Sequence, residues 1–286
     1  MFAKISRSWT LAGECWDVLK QDPALLIFPL LSSTAILLLL ASFGLPVWAL
    51  YHNLPAALAD GSTTHTTRLL SFVATYVFYV ICYSIVMFFN TALIAVALRR
   101  LDGEPATVKE GLQAALANLP AIVGYALIAA TVGTILRAIE ERVGIIGRIV
   151  TAIIGAAWTL ATAMTLPVLV VENAGPVEAI SRSLDLLRKN WGENLIGNGG
   201  ISIGIAVISI PLFVLAGLFM VFAISTKMLG TIVLAAIVLL VTLIGVSLVG
   251  TTLHAIYTAA LYRFATGSKE NGGIGQDLLA GAFQVK

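Results

Sequence analysis

The chain has 286 residues, of which 59% are hydrophobic and 11% are charged, and its formal net charge at pH 7 is +2. Soluble domains carry about 45–50% apolar and about 25% charged residues, so this chain lacks the polar surface that a water-soluble globule needs. A net charge this small, with scattered basic residues, also argues against a nucleic-acid partner. The composition therefore predicts an integral membrane protein.

Six apolar stretches are long enough to cross a hydrocarbon core, which takes about 20 helical residues. In chain order they lie near 24–51, 69–98, 119–137, 145–171, 195–224 and 229–262. The links "AIEERVGIIG" (138–147) and "STKM" (225–228) are short, so each is expected to join an antiparallel pair. The predicted fold class is all-α: a polytopic membrane protein with six transmembrane helices arranged as three hairpins. We expect residues 1–286 to form a single integral membrane domain.

The positions of Lys and Arg predict the orientation, because cytoplasmic loops carry an excess of these residues. The segments on one side hold twelve Lys and Arg residues and the segments on the other side hold five. The richer segments are 1–23, 99–118, 172–194 and 263–286. Both termini are therefore predicted to be cytoplasmic. The first apolar stretch is too long for the apolar region of a cleaved signal peptide.

An amphipathic segment precedes each pair of stretches and is predicted to form a cytoplasmic helix. In "AISRSLDLLRKNW" (179–191), apolar residues recur at spacings of three and four, the signature of one helix face. The N-terminal "KISRSWTLAGECW" (4–16) repeats the Ile-Ser-Arg-Ser, and a weaker copy is "TVKEGLQAALANLP" (107–120). Such helices can lie in the membrane interface, with Trp at headgroup level and basic side chains toward phosphates. The predicted interfacial anchors are Trp9, Trp16, Trp191, Arg7 and Arg182.

The order of these elements predicts a threefold repeat, with units of about 1–98, 99–171 and 172–263 and a short cytoplasmic tail, 264–286. The unit ends can be aligned without gaps, and they then finish at Gly103, Gly175 and Gly267. In this register Asn90, Thr162 and His254 align, and each is polar in a mostly apolar stretch. If the units pack around a common axis, these three side chains form a candidate intramembrane polar site. The alternative is that Thr162 bonds the carbonyl four residues before it and the three face different neighbours.

The sequence contains no HExxH, GxSxG, Walker A or GxGxxG motif. Its three histidines lack metal-ligand spacing, and Cys15 and Cys82 form no CxxC pair. No catalytic, cofactor-binding or metal-binding residue is therefore predicted, and no cofactor is expected. The prolines at 29, 46, 167 and 211 lie in apolar stretches. They could open broken helices of the transporter kind or form kinks that neighbouring helices repair.

Two segments resemble known membrane proteins. The stretch "ENAGPVEAISRSLDLLRKNWGENL" (172–195) resembles an acidic-Gly-Pro motif of the membrane domain that accompanies some glycerophosphodiester phosphodiesterases. The stretch "SRSWTLAGECWDVLKQDPALLIFPLLS" (6–32) resembles the opening of an uncharacterised bacterial and archaeal family of six-span membrane proteins. The resemblance implies a helical multi-pass protein of the prokaryotic inner membrane with no assigned activity. It does not imply phosphodiesterase chemistry, which in those enzymes belongs to a separate soluble domain.

The expected function is non-enzymatic: a membrane-embedded structural or accessory protein. Its partners are expected to be membrane lipids, and a membrane-protein partner or a second copy is possible. The alternative is a transporter or channel for a small or lipid-like solute, and an enzyme ranks third because no catalytic pair can be named. A water-accessible cavity lined by polar groups would favour the transporter. A bundle closed by small residues would favour the accessory role.

Overall fold

The computed structural model describes residues 13, 15–53, 65–189 and 191–267. Over these residues the protein is helical and contains no β-strand. Residues 15–21 form α1, and a short 3-10 turn, Pro23–Leu26, leads into the next helix. The remaining helices are α2 (Ile27–Asn53), α3 (His65–Leu101), α4 (Val108–Ala117), α5 (Leu119–Ala161), α6 (Thr165–Val171), α7 (Pro176–Lys189), α8 (Trp191–Thr226) and α9 (Leu229–Thr266).

Six segments of these helices are long and apolar enough to cross a membrane. They are Pro23–Gly44, Phe72–Leu101, Leu119–Gly144, Gly147–Val171, Gly204–Thr226 and Leu229–Thr266. The prediction of an all-α polytopic membrane protein with six spans is therefore confirmed. A short helix precedes each pair of spans, since α1, α4 and α7 stand before the first, third and fifth spans in the chain.

The third and fourth spans meet at a turn inside α5. The helix continues through most of the predicted loop 138–147 and reverses at Gly144, which has φ 67° and ψ −138°. This backbone region is essentially restricted to glycine. The Arg148 guanidinium lies 3.8 Å from the Glu140 carboxylate across the turn, so the two spans form a hairpin.

The other two pairs of spans are also hairpins. Lys227 and Met228 alone separate α8 from α9, which confirms the tight link predicted at 225–228. Beyond this turn, a Cβ added at Gly250 of α9 would lie 3.6 Å from the Ile205 side chain of α8. In the first hairpin, one aromatic ring of α2 meets one of α3 edge-on, with 5.5 Å between the centroids of Phe43 and Phe78.

The fourth span is interrupted between α5 and α6, at residues 162–164. Pro167 explains the position of the break: it has no N–H for the carbonyl of residue 163, and its ring crowds that carbonyl. The backbone dihedrals of Met164, φ −104° and ψ 8°, depart from helical values. The span therefore carries backbone groups that its own helix cannot satisfy.

The described chain divides into two compact units. One comprises Met1–Ile27, Leu93–Val108 and Asp185–Lys286, and the other comprises Phe28–Ala92 and Lys109–Leu184. In the first unit, α9 packs on the 3-10 turn, whose Leu25 is fully buried. In the second unit, the core includes Ile122, Met164 and Leu169, all fully buried. The boundaries of these units differ from those of the predicted repeat, and the single domain and the threefold repeat stay predictions.

Candidate functional site

The helix α7 is anchored to the broken fourth span through Ser183, the second serine of the Ile-Ser-Arg-Ser segment. Its hydroxyl donates a hydrogen bond to the Ala161 carbonyl at 2.7 Å and accepts one from the Met164 N–H at 3.1 Å. Ser183 is fully buried. The side chain thus satisfies both a donor and an acceptor that the break at Pro167 leaves without helical partners.

The face through which α7 packs differs from its most apolar face. Ala179, Ser183 and Leu186 are buried, whereas Val177 is 69% exposed. The large side chains at Ile180 and Leu184 follow the buried positions by one residue, which places them about 100° around the helix. They are only half-buried. The small residues Ala179 and Ser183 let α7 approach the fourth span closely. A strip of larger apolar side chains, which includes Ile180 and Leu184, lies beside this contact.

The helix α4 repeats this arrangement. Gly111 and Ala115, four residues apart, are buried, and Leu116 is 57% exposed. In α1 the buried pair with the same spacing is Cys15 and Leu19, and Trp16 is 40% exposed. We call Trp16, Leu116 and Val177 the apolar flank residues of the three short helices.

Two ion pairs join the C-terminal end of α3 to other segments of the first unit. The Arg100 guanidinium lies 2.8 Å from the Asp22 carboxylate, just before the first span. Arg100 also donates a hydrogen bond to the Ala106 carbonyl at 3.0 Å. The Arg263 guanidinium, near the end of α9, pairs with the Asp102 carboxylate and donates to the Leu101 carbonyl. These contacts connect the start of the first span with the ends of the second and sixth spans.

The three residues of the predicted intramembrane site have different surroundings. Thr162 donates to the Trp158 carbonyl, four residues before it, at 2.9 Å, and it also interacts with the Tyr125 hydroxyl. Asn90 is half-buried and His254 is exposed. Asn90 and Thr162 belong to one unit and His254 belongs to the other, and a shared site for the three stays a prediction.

Of the predicted interfacial anchors, Trp16 and Arg182 have described side chains. Trp16 is a flank residue, and its ring lies 5.8 Å from the Lys20 ammonium. The Arg182 guanidinium is 3.3 Å from the Glu172 carboxylate. Trp9 and Arg7 lie outside the described residues, as does the side chain of Trp191, whose backbone begins α8. The assignment of these anchors to a membrane surface stays a prediction.

Several polar contacts were not predicted from the sequence. The Tyr76 and Thr131 hydroxyls, on α3 and α5, lie 2.6 Å apart. Tyr125 and Ser183 both act on the region of the broken fourth span. Pro167 is the sequence feature that indicates the break, but nothing in the sequence indicates which side chain supplies the missing hydrogen bonds.

A cavity of about 560 Å³ lies among α1, α8 and α9 of the first unit. Its walls include Trp16, Leu212 and Val249 and are almost entirely apolar. Among the described residues, no group of three or more His, Cys, Asp and Glu side chains could hold a metal ion.

A family profile described as a family of unknown function, DUF6159, matches residues 69–273. The chain belongs to DUF6159. The DUF6159 match begins at the second span and continues past the sixth, so it includes Arg100, Ser183 and Arg263. It leaves out α1 and the first span of this DUF6159 protein. No curated protein matches the chain.

Proposed function

We propose that this protein is a non-enzymatic, membrane-embedded accessory protein. In this proposal its short helices meet lipid headgroups at the inner surface of a prokaryotic cell membrane, where a membrane-protein partner can also dock. One observation carries the proposal: each short helix packs through a buried pair four residues apart and leaves a large apolar residue exposed outside that contact. These residues are Trp16, Leu116 and Val177. An interfacial helix places such side chains at the boundary between headgroups and acyl chains.

The order of the spans supports a common membrane side for the three helices. Because α1, α4 and α7 are separated by two spans each, they emerge on the same side when every span crosses once. The excess of Lys and Arg in these segments supports the cytoplasmic side. Both termini are then cytoplasmic as well.

Two buried hydroxyls, those of Thr91 and Thr252, bond within their own helices, which supports an accessory role over a channel for a hydrophilic solute. Thr91 donates to Met87 at 2.7 Å, and Thr252 donates to Leu248 at 2.8 Å. Each hydroxyl uses the carbonyl four residues earlier on its own helix, which satisfies it locally. Such side chains stabilise the spans and need no water-filled path.

The resemblance of residues 172–195 to a membrane domain that accompanies phosphodiesterases also fits an accessory role. Here this segment contains α7 and its Ser183 anchor. No catalytic step is proposed for this chain.

The depth of the flank residues tests the proposal. Single nitroxide labels are placed at Leu116 and Val177, with matched controls at the exposed polar neighbours Gln113 and Glu178. In proteoliposomes, the flank labels should be relaxed mainly by oxygen, which concentrates in the bilayer, and the controls mainly by a water-soluble nickel chelate. Equal nickel accessibility at all four sites would show that the flank residues face water, and the proposal would fail.

A second candidate function is the transport of a lipid-like solute, and the apolar cavity among α1, α8 and α9 favours it over transport of a hydrophilic one. Fluorescent phospholipid in proteoliposomes measures this directly, since an aqueous reductant bleaches only the outer leaflet. An accessory protein leaves the bleached fraction at the protein-free value. Bleaching beyond that fraction would establish the transporter instead.

A further inference from the structure

The groove among α1, α8 and α9 lies beside a close contact between two neighbouring spans. At Gly250 an added Cβ would contact the Ile205 side chain at 3.6 Å, so α8 and α9 pack closely there. At Gly245 an added Cβ would meet nothing within 4 Å, although this residue also lines the groove. The missing side chain at Gly245 thus leaves open space along α9. The resulting volume of about 560 Å³ lies within the usual range of ligand pockets, about 300–1,000 Å³.

The walls of the groove suit a hydrocarbon chain. They are formed by residues such as Ile208, Leu212 and Val249, inside segments that cross the membrane. The two wall hydroxyls are used by their own helices: Ser209 donates to Ala206 at 3.4 Å and Thr242 donates to Val238 at 2.8 Å. A polar ligand would lose its hydration there without finding matching partners. An acyl chain has no such cost.

One end of the groove carries the chemistry of a headgroup site. Trp16 lines the groove, and the Lys20 ammonium lies 5.8 Å from its ring centroid. Lys20 is 3.7 Å from the Asp17 carboxylate, with both side chains more than half exposed. Such exposed pairs are weak, so Lys20 keeps attraction for a phosphate. Trp and Lys together are typical of the membrane interface.

We propose that this groove binds one acyl chain of an anionic phospholipid, with the headgroup held at Trp16 and Lys20. The inference rests on the proposed function in one respect, the position of α1 at the membrane surface. It adds a site, a ligand class and an orientation of the ligand. Dispersion contacts with the groove walls distinguish this lipid from the lipids that surround every span.

Photocrosslinking tests the site in the full-length protein. Proteoliposomes contain phosphatidylglycerol with a diazirine on one acyl chain, and adducts are mapped by peptide mass spectrometry. Adducts should concentrate on Ile208 and Leu212 relative to Leu218, which is exposed on α8 outside the groove. The variant Gly245→Leu should lower the groove adducts by about fivefold, because its side chain occupies the space that the acyl chain needs.

Matched variants separate the site from general effects on the fold. Gly230→Leu makes the same change on α9 at a position where an added Cβ also meets nothing within 4 Å, and groove adducts should stay unchanged. Lys20→Gln should reduce the preference for phosphatidylglycerol over phosphatidylethanolamine. Its local control is Gln21→Ala, which leaves the ammonium in place.

Three results would overturn the inference. Adducts spread evenly over the exposed residues of α8 would indicate surrounding lipid alone. Equal adducts in Gly245→Leu and Gly230→Leu would show that the groove is not the binding site. A photoreactive amino acid placed at Ile208 that crosslinks to another copy of the chain, instead of to lipid, would show that a second copy covers the groove. Each of these results leaves the depth of Leu116 and Val177 untouched, so failure of the inference is distinguishable from failure of the proposed function.

Discussion

The Ser183 hydroxyl of α7 donates a 2.7 Å hydrogen bond to the Ala161 carbonyl at the end of α5. Because the same hydroxyl accepts the Met164 N–H, one side chain bridges both edges of the break in the fourth span. The helix α7, which precedes the fifth span, is therefore held against the fourth span by a buried polar contact. Buried polar groups without partners are costly, so loss of this contact should lower the free energy of unfolding.

Replacing Ser183 with alanine should lower the free energy of unfolding by about 1–3 kcal/mol, since it leaves a buried donor and a buried acceptor without this partner. The measurement is thermal or denaturant unfolding of the purified protein in a mild detergent. Ser181→Ala is the matched control, because Ser181 is exposed on the same helix. Equal stability of the two variants would contradict a structural role for the Ser183 hydroxyl.

The cost of losing Ser183 should depend on Pro167. In Pro167→Ala the residue regains an N–H for the carbonyl of residue 163, so the break can close into continuous helix. A double-mutant cycle should then give coupling of about 1 kcal/mol, with Ser183→Ala costing less in the Pro167→Ala background. Additive free energies would mean that the proline and the serine act independently. Pro211→Ala in α8, a proline inside a continuous helix, serves as the control background.

The Arg100–Asp22 pair should stabilise the first unit more than an exposed pair does. Asp22 is only 16% exposed in its side chain, and the atoms are 2.8 Å apart. A cycle of Asp22→Asn and Arg100→Gln should give coupling near the upper end of the range for such pairs, about 1 kcal/mol. The exposed Asp17–Lys20 pair, tested with Asp17→Asn and Lys20→Gln, should give coupling close to zero. Equal coupling in both cycles would refute the special role of Arg100.

The orientation is tested with single cysteines after Cys15 and Cys82 have been replaced. Cysteines introduced in 52–68 should react with a membrane-impermeant thiol reagent in intact cells, because that segment is predicted to be external. Cysteines in 272–286 should react only after the cells are opened. The reverse pattern would place α1, α4 and α7 on the outer surface and remove the basis for an inner-surface function.

The sequence predicted the elements of the fold more accurately than their contacts. Spans depend on the length and hydropathy of a local segment, and each of the six predicted stretches overlaps a span of the structure. The third span extends beyond its predicted end because charged residues continue the helix. Arg137 and Glu141 form a 3.1 Å ion pair before the turn at Gly144. The apolar pattern that predicts a span ends at the first charged residue, whereas the backbone hydrogen bonds of the helix continue past it.

The candidate site was less accessible to sequence reasoning. Aligning the unit ends predicted a shared site for Asn90, Thr162 and His254, a relation that depends on packing across units. The structure gives Thr162 a bond within its own helix and an interaction with Tyr125, and Tyr125 had no distinguishing pattern in the sequence. Contacts between residues far apart in the chain depend on how the helices pack, and a short stretch of sequence does not contain that information.

By itself, the sequence determined that this is a six-span helical membrane protein with a short amphipathic helix before each pair of spans. Composition and hydropathy suffice for that, because the bilayer admits only segments that satisfy their own backbone. Only the tertiary structure decided which face of each short helix is buried. The largest apolar side chains predicted one face of α7, but Ala179 and Ser183 form the contact. Small residues permit close approach of helices and Ser183 supplies the missing hydrogen bonds, so Val177 remains exposed, away from this contact.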